Sequence, residues 1–255
     1  MRIFETHAHY DDDAFDDDRE QLLNEMHKEG IDYIVNIGCS MENSRHIVDM
    51  VKEYDFLYGT VGVHPSDIDG LTDADMQELE KLAQAKKILA IGEMGLDYHY
   101  DNVVKEEQAK WFVAQLEIAK RCDMPVVIHS RDAAKDTLDI VKAHHNGVTP
   151  GIIHCFSYGV EMAKCYLDMG YYIGVGGVVT FKNAKKLKEV VEYTPLERIV
   201  LETDAPYLAP TPYRGKRNCS LYLRHVAEEI ATLKGVSVEE VCAVTYENAK
   251  TVYKM

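Results

Sequence analysis

Pro125-Val-Val-Ile-His129-Ser-Arg-Asp132 and, one unit later, Gly151-Ile-Ile-His154-Cys-Phe-Ser157 each run a short apolar stretch into a histidine. The same layout recurs along the chain. Apolar runs that read as strands cover Ile3 to Thr6, Tyr33 to Ile37, Leu57 to Val63, Ile88 to Ile91, Val126 to Ile128, Gly151 to Ile153, Tyr171 to Val175 and Ile199 to Leu201. Amphipathic patterns such as Asp18 to Glu29 and Val104 to Cys122 lie between them. Strand-helix alternation implies a parallel sheet. Eight such units in 255 residues fit a closed (β/α)8 barrel of the α/β class, a TIM barrel, better than an open doubly wound sheet.

A single domain spanning residues 1–255 is the expectation, because no Pro/Gly/Ser-rich linker, low-complexity tract or long repeat divides the chain. Ser237 to Tyr253 reads as an extra helix, with Ser237 as its cap and Glu240 as the capping-box acid. Apolar residues make up 46% and charged residues 28%, ordinary globular usage that excludes disorder. No run approaches transmembrane length and no secretory signal is visible, so a cytoplasmic protein without a membrane partner is expected. Six dispersed cysteines form no CxxC pair and read as reduced thiols. Cys155, beside His154, is expected to point away by strand alternation.

A barrel gathers its strand ends into one mouth, so distant residues can share a metal there. In Arg2-Ile-Phe-Glu-Thr-His7-Ala-His9 the two histidines fall on one face by the period of a strand. Ile88-Leu-Ala-Ile-Gly92-Glu93 places a carboxylate after a buried strand, where it needs a partner charge and can bridge two cations. His129 and His154 add imidazoles, which suit zinc as well as manganese or iron. Ile199-Val-Leu-Glu202-Thr203-Asp204 supplies two carboxylates, on one face if the strand continues. One can ligate while taking a proton from water; Glu202 reads equally as a partner that orients a histidine. The metal candidates are therefore His7, His9, Glu93, His129, His154 and Asp204.

The net charge of −15 argues against a generic nucleic-acid coat protein, but divalent ions supply positive charge locally. Asp11 to Asp13 and Asp16 to Asp18 read as a solvated loop and an acidic helix start. Tyr213-Arg214-Gly215-Lys216-Arg217-Asn218 is a compact basic segment after the eighth strand, pointing to an anionic substrate held by Arg214, Lys216 and Arg217. Arg131 is placed to fork onto a phosphate or carboxylate. His64, ending the third strand, reads as a ligand, an acid, a hydrogen-bond donor or a structural cap. Lys182, Lys185, Lys186 and Lys188 read as a solvated helix face.

Taken together, Thr6-His7-Ala8-His9, Gly62-Val63-His64-Pro65, Gly92-Glu93-Met94-Gly95-Leu96-Asp97, Ile128-His129-Ser130-Arg131, His154-Cys155-Phe156-Ser157, Glu202-Thr203-Asp204-Ala205-Pro206 and Arg214-Gly215-Lys216-Arg217-Asn218 resemble the TatD family of metal-dependent deoxyribonucleases. The resemblance implies an amidohydrolase-type barrel and two divalent ions, whether magnesium, manganese or zinc. It places one ion on His7, His9, Glu93 and Asp204 and a second on Glu93, His129 and His154. It also implies DNA as substrate, 3′ exonuclease action, Asp204 as the residue that activates water, and His64 beside the scissile phosphate. Three positions depart from the common pattern. Glu5 stands where aspartate is usual, Cys219-Ser220 follows Asn218 where Glu-Pro is common, and Tyr158 separates Ser157 from Gly159.

Two other functions compete. The same metal chemistry serves an ester of D-aminoacyl-tRNA or a small phosphoester, and a non-catalytic metal-holding scaffold is the bland alternative. No obligate protein partner is implied.

Overall fold

A computed structural model describes every residue except Asn102, Asn146 and Val148. Its strands are β1 (Ile3–Ala8), β2 (Ile31–Asn36), β3 (Leu57–Val61), β4 (Ile88–Asp97), β5 (Val126–Arg131), β6 (Ile152–Ile153), β7 (Tyr172–Val175) and β8 (Ile199–Leu201). The helices between and after them are α1 (Arg19–Lys28), α2 (Met41–Met50), α3 (Asp73–Leu82), α4 (Lys105–Cys122), α5 (Ala134–His144), α6 (Val160–Asp168), α7 (Lys185–Tyr193), α8 (Leu223–Lys234) and α9 (Val238–Val252). The strands pair in parallel in chain order from β1 to β8. Each of the eight expected strands is present, and together they form a (β/α)8 barrel.

The ring closes just beyond β8. Ala8 bridges Ala205, the Asp204 N–H donates to the His7 carbonyl at 2.9 Å, and the His9 N–H donates to the Ala205 carbonyl at 2.8 Å. The backbone that closes the barrel thus carries three of the expected metal donors. Closure and donor convergence are one event.

Two apolar layers hold the ring. Phe4, Val35, Ala90, Val127, Ile152, Tyr172 and Val200 contribute one side chain from each of seven strands to a cluster completed by Tyr246, Ala249, Val252 and Tyr253. The last four belong to α9 or adjoin it, so the extra helix packs against the strands, and the Tyr253 hydroxyl donates to the Thr6 carbonyl at 2.8 Å. A larger layer packs strands against the surrounding helices through residues such as Leu23, Ile47, Leu79, Trp111 and Val226. At the start of α9, Ser237 accepts from the Glu240 N–H as expected at 3.1 Å, whereas the complete capping box falls at α3, between Thr72 and Asp75.

β4 extends six residues past the expected end at Ile91. Gly92 and Gly95 interrupt the apolar run, but their φ values of 146° and 148° allow the strand to continue. A Cβ at Gly92 would lie 2.5 Å from the Val127 carbonyl oxygen, and one at Gly95 would overlap that of His129. Glycine lets β4 lie against β5 while Glu93 sits between them. Conversely, β8 stops at Leu201 and Asp204 takes φ 59°, so Glu202 and Asp204 do not share a strand face. β6 is only two residues long and Cys155 takes φ 45°, which overturns the alternation argument: Cys155 lines the mouth.

No helix among the described residues is long and apolar enough to cross a membrane.

Candidate metal centre

All six expected donors meet at the C-terminal ends of the strands. His7 Nε2 lies 3.3 Å from Glu93 Oε2 and 3.6 Å from Asp204 Oδ1, and His9 Nε2 lies 3.3 Å from the same Asp204 oxygen. On the other side, His129 Nδ1 lies 2.8 Å from Glu93 Oε1, with His64 Nε2 at 3.9 Å and His154 Nε2 at 3.8 Å. The two oxygens of Glu93 therefore face different sets of histidines, as a carboxylate shared by two cations would. His154 Nε2 is also 3.6 Å from Asp204, between the two sets.

His7 tests whether these residues fit a metal. It is fully buried, its ring stacks on that of His154 at 3.4 Å, and among the described residues neither ring nitrogen has a hydrogen-bond partner. A buried polar atom without a partner costs about 1–3 kcal/mol, and a cation taken up at Nε2 relieves that cost. The donor set of imidazoles and carboxylates fits zinc or manganese.

Electrostatics agrees. Burial alone would raise the Glu93 pKa, but His154, His7 and the His129 hydrogen bond hold it well below the ordinary carboxylate range. Asp204 behaves likewise, burial being outweighed by His9, His154 and His7. Burial and the neighbouring His154 lower the His7 pKa, against the pull of Glu93. Burial opposes charge on His154, yet Glu202, Glu93 and Asp204 raise its pKa to about 9. Ionised carboxylates and a strong attraction for protons mark a negative centre, which attracts a divalent cation by the same field.

Around the donors sit groups that aim them. Glu202 is buried, with Oε2 at 3.1 Å from His154 Nδ1 and Oε1 accepting the Cys155 N–H at 2.6 Å. Both its oxygens are engaged, by His154 and by the Cys155 backbone, as the orienting reading expects, and its carboxylate also lies close enough to His7 and His154 for the three to share an ion. Gly174 makes this possible, since a Cβ there would occupy the space of the Glu202 carboxylate. His64 accepts the Ser66 N–H at Nδ1 (3.1 Å), which leaves the proton on Nε2, facing Glu93. Burial lowers its pKa to about 4, so it stays a neutral donor.

Two of the three departures from the family pattern touch each other. Glu5 is buried and accepts from the His7 and Thr203 N–H groups at 3.0 Å, and its second oxygen accepts from the Ser220 hydroxyl at 2.9 Å. The longer acid is thus held by the serine that replaces the common proline, and the His7 backbone remains anchored. Tyr158 hydrogen-bonds Ser130 at 2.9 Å and fixes the turn into α5.

Sequence reasoning missed two residues here. Asp97 lies 3.2 Å from His129 Nε2, so His129 sits between two carboxylates. Cys39 places Sγ 3.8 Å from both His9 Nδ1 and Glu93 Oε2. Asp97 was visible as the last acid of the Gly92 to Asp97 motif; nothing in the sequence around Cys39 marks it.

The mouth is a cavity of about 840 Å³. Arg131 lines it, together with Asp11, Asp12 and Asp67 and the exposed rings of Tyr100 and Tyr207. The basic segment is not gathered there. Arg217 forks onto Asp18 at 2.6 and 2.8 Å, donates to the Ala14 carbonyl and covers Phe15. Arg214 lies over Phe181 and Lys216 near Tyr213, neither among the residues that line the mouth. The Asp18 partner, hidden far away in sequence, is what diverts Arg217.

A parallel barrel with histidines and carboxylates converging at its mouth defines a metal-dependent hydrolase, and comparison with known proteins narrows the class. Residues 4–254 match the TatD related DNase family, and the chain belongs to it. It is 41% identical to the metal-dependent hydrolase YabD of Bacillus subtilis over 99% of both chains. It is 36% identical to YcfH of Escherichia coli, covering 97% of this chain and 94% of that one. The crystal structure of the TatD homologue YJJV from Escherichia coli superposes with a TM-score of 0.94 at 29% identity, covering 100% of this chain and 98% of the other. A phosphotriesterase homology protein from the same organism shares the fold at 17% identity, with a TM-score of 0.70 and coverage of 99% and 98%.

Proposed function

We propose that this hydrolase is a deoxyribonuclease that shortens DNA from its 3′ end, with two divalent ions drawn from magnesium, manganese and zinc. The observation that carries this reading is Glu93, whose two oxygens face separate histidine sets at the floor of an open mouth. His7, His9, Glu93 and Asp204 would hold one ion, and Glu93, His129 and His154 the other. When bound, such ions neutralise phosphodiester charge and favour ionisation of the attacking water.

The protein side of the chemistry follows from the positions described. Asp204, ionised and 20% exposed at its side chain, takes the proton of the attacking water. His64 Nε2–H donates to a phosphate oxygen as charge builds there. Arg131 forks onto the phosphate at the rim. Tyr100 and Tyr207, 56% and 55% exposed, offer faces on which unpaired bases stack, the usual platform for a single strand.

The acidic rim of Asp11, Asp12 and Asp67 favours a second reading, hydrolysis of a D-aminoacyl-tRNA ester or a small phosphoester, because it repels a long polyanion more than a compact substrate. Turnover on DNA, aminoacyl-tRNA and simple phosphoesters, each beside Glu93→Ala, separates the two. DNA cleavage that the variant loses while its circular dichroism and melting persist supports the nuclease. A fully active Glu93→Ala, or wild-type turnover confined to tRNA esters or small phosphoesters, overturns it.

A further inference from the structure

Beside the mouth lies a second chamber of about 570 Å³, within the ~300–1,000 Å³ range of small-molecule sites. The two share walls at Cys155, Ser157, Val178, Asp204 and Leu208. The chamber thus begins at a residue of the metal centre itself. Its apolar wall is built from Phe156, Val178, Phe181, Leu187 and Leu208, and its polar groups include the Asn183 amide and, toward the metal centre, Glu202 and Asp204.

Leu208 deserves a physical account, because it is 39% exposed and has φ 54°, a backbone region that a branched side chain occupies at a cost. Gly177 opposite it has no room for a Cβ, whose place is taken by the Leu208 carbonyl oxygen. The loop after β8 is thereby pressed onto the turn after β7, and an apolar side chain is left half in water at the opening between chamber and mouth. Strain and exposure at one residue of a cavity wall point to a ligand.

We infer that this chamber is a nucleobase subsite, receiving the base of a nucleotide adjoining the phosphate held at the metal centre. The occupant must reach Asp204 with a charged group while burying a flat apolar body, and a nucleotide joins these two parts through one sugar. Asn183 can donate to and accept from a base edge. Lys185 and Lys186, on the first turn of α7, also line the chamber and supply positive charge for a neighbouring phosphate in a chain otherwise strongly acidic. Phe181 presents its ring to the chamber while Arg214 lies 4.4 Å from its centroid, which keeps one aromatic face packed in place. The inference deepens the nuclease reading and rests on it for the identity of the flanking phosphate.

Calorimetry on the manganese-loaded protein tests it without requiring turnover. Base stacking contributes about 1–3 kcal/mol, so thymidine 5′-monophosphate should bind roughly ten-fold more tightly than deoxyribose 5-phosphate. Ala184→Trp, at a position that lines the chamber and not the mouth, should abolish that preference while leaving deoxyribose 5-phosphate binding unchanged. Phe181→Ala, which only removes a wall, should reduce the preference several-fold and decides the matter if Ala184→Trp fails to fold. Equal affinities in the wild type, or an undiminished preference in the folded variants, overturn the subsite. A wild type that prefers the nucleotide yet leaves DNA intact keeps the subsite and rejects the nuclease.

Discussion

His7 is fully buried and among the described residues neither of its ring nitrogens has a well-formed hydrogen bond, Nε2 having only the 3.3 Å approach to Glu93, so a cation taken up between them would satisfy it. The neighbouring Glu202 is placed to aim one of the proposed donors, His154. It grips His154 at Nδ1 and leaves Nε2 turned toward Glu93 and Asp204. Replacing it by glutamine keeps the shape and removes the charge. Because partners of this kind typically control metal affinity by 10–100-fold, Glu202→Gln should weaken manganese binding by about that factor, measured by titration calorimetry. Unchanged affinity would show that Glu202 is only a packing group. His7, His9, Glu93, His129, His154 and Asp204 were legible in the sequence because each follows an apolar run that had to be a strand. Cys39 was not legible, since its place beside His9 and Glu93 depends on how the loop after β2 lies over the mouth.

At the scale of elements, β4 and β5 meet in a contact that only glycine permits. Gly95→Ala would drive a Cβ into the His129 backbone from a φ of 148°, so it should cost more than about 1 kcal/mol in urea unfolding and displace His129, a proposed metal donor, as well. A variant as stable as wild type would contradict the tight approach of these strands. The basic segment illustrates the opposite case, a motif whose sequence is plain and whose destination is not. Arg217 ties its loop to Asp18 at the start of α1. The pair is more than a third exposed, so after solvent screening Arg217→Ala should cost at most about 1 kcal/mol and leave catalysis near wild type. The Arg217 hydrogen bond lowers the Asp18 pKa, so the contribution is present at neutral pH and fades as acid titrates Asp18 through its lowered folded value. Chemical denaturation of both proteins at neutral and acid pH checks the loss and its direction; a large fall in activity would return Arg217 to the substrate. The length of β4 escaped the apolar pattern because glycines, not hydrophobicity, carry it past Ile91, whereas β8 ends at Leu201 with its apolar run and only the left-handed turn at Asp204 beyond it was hidden.

For the whole molecule, the order of strands fixes the chemistry's location. Eight parallel strands place their C-terminal ends at one mouth, and the hydrogen bonds between β1 and the segment after β8 close the ring through His7, His9 and Asp204 themselves. A net charge of −15 is compatible with a polyanionic substrate only if cations gather at that mouth, where Arg131 and the bound metals would outweigh the surface. The central claim is therefore metal-dependent cleavage of DNA, and its most direct test uses an internally labelled single-stranded DNA carrying a free 3′ end. Wild type and Asp204→Ala are chelated, then given magnesium, manganese or zinc separately. Stepwise shortening from the 3′ end that returns with at least one ion and is absent from Asp204→Ala is the result this account predicts. DNA left intact by the wild type with every ion, or cleaved equally by Asp204→Ala, would contradict it.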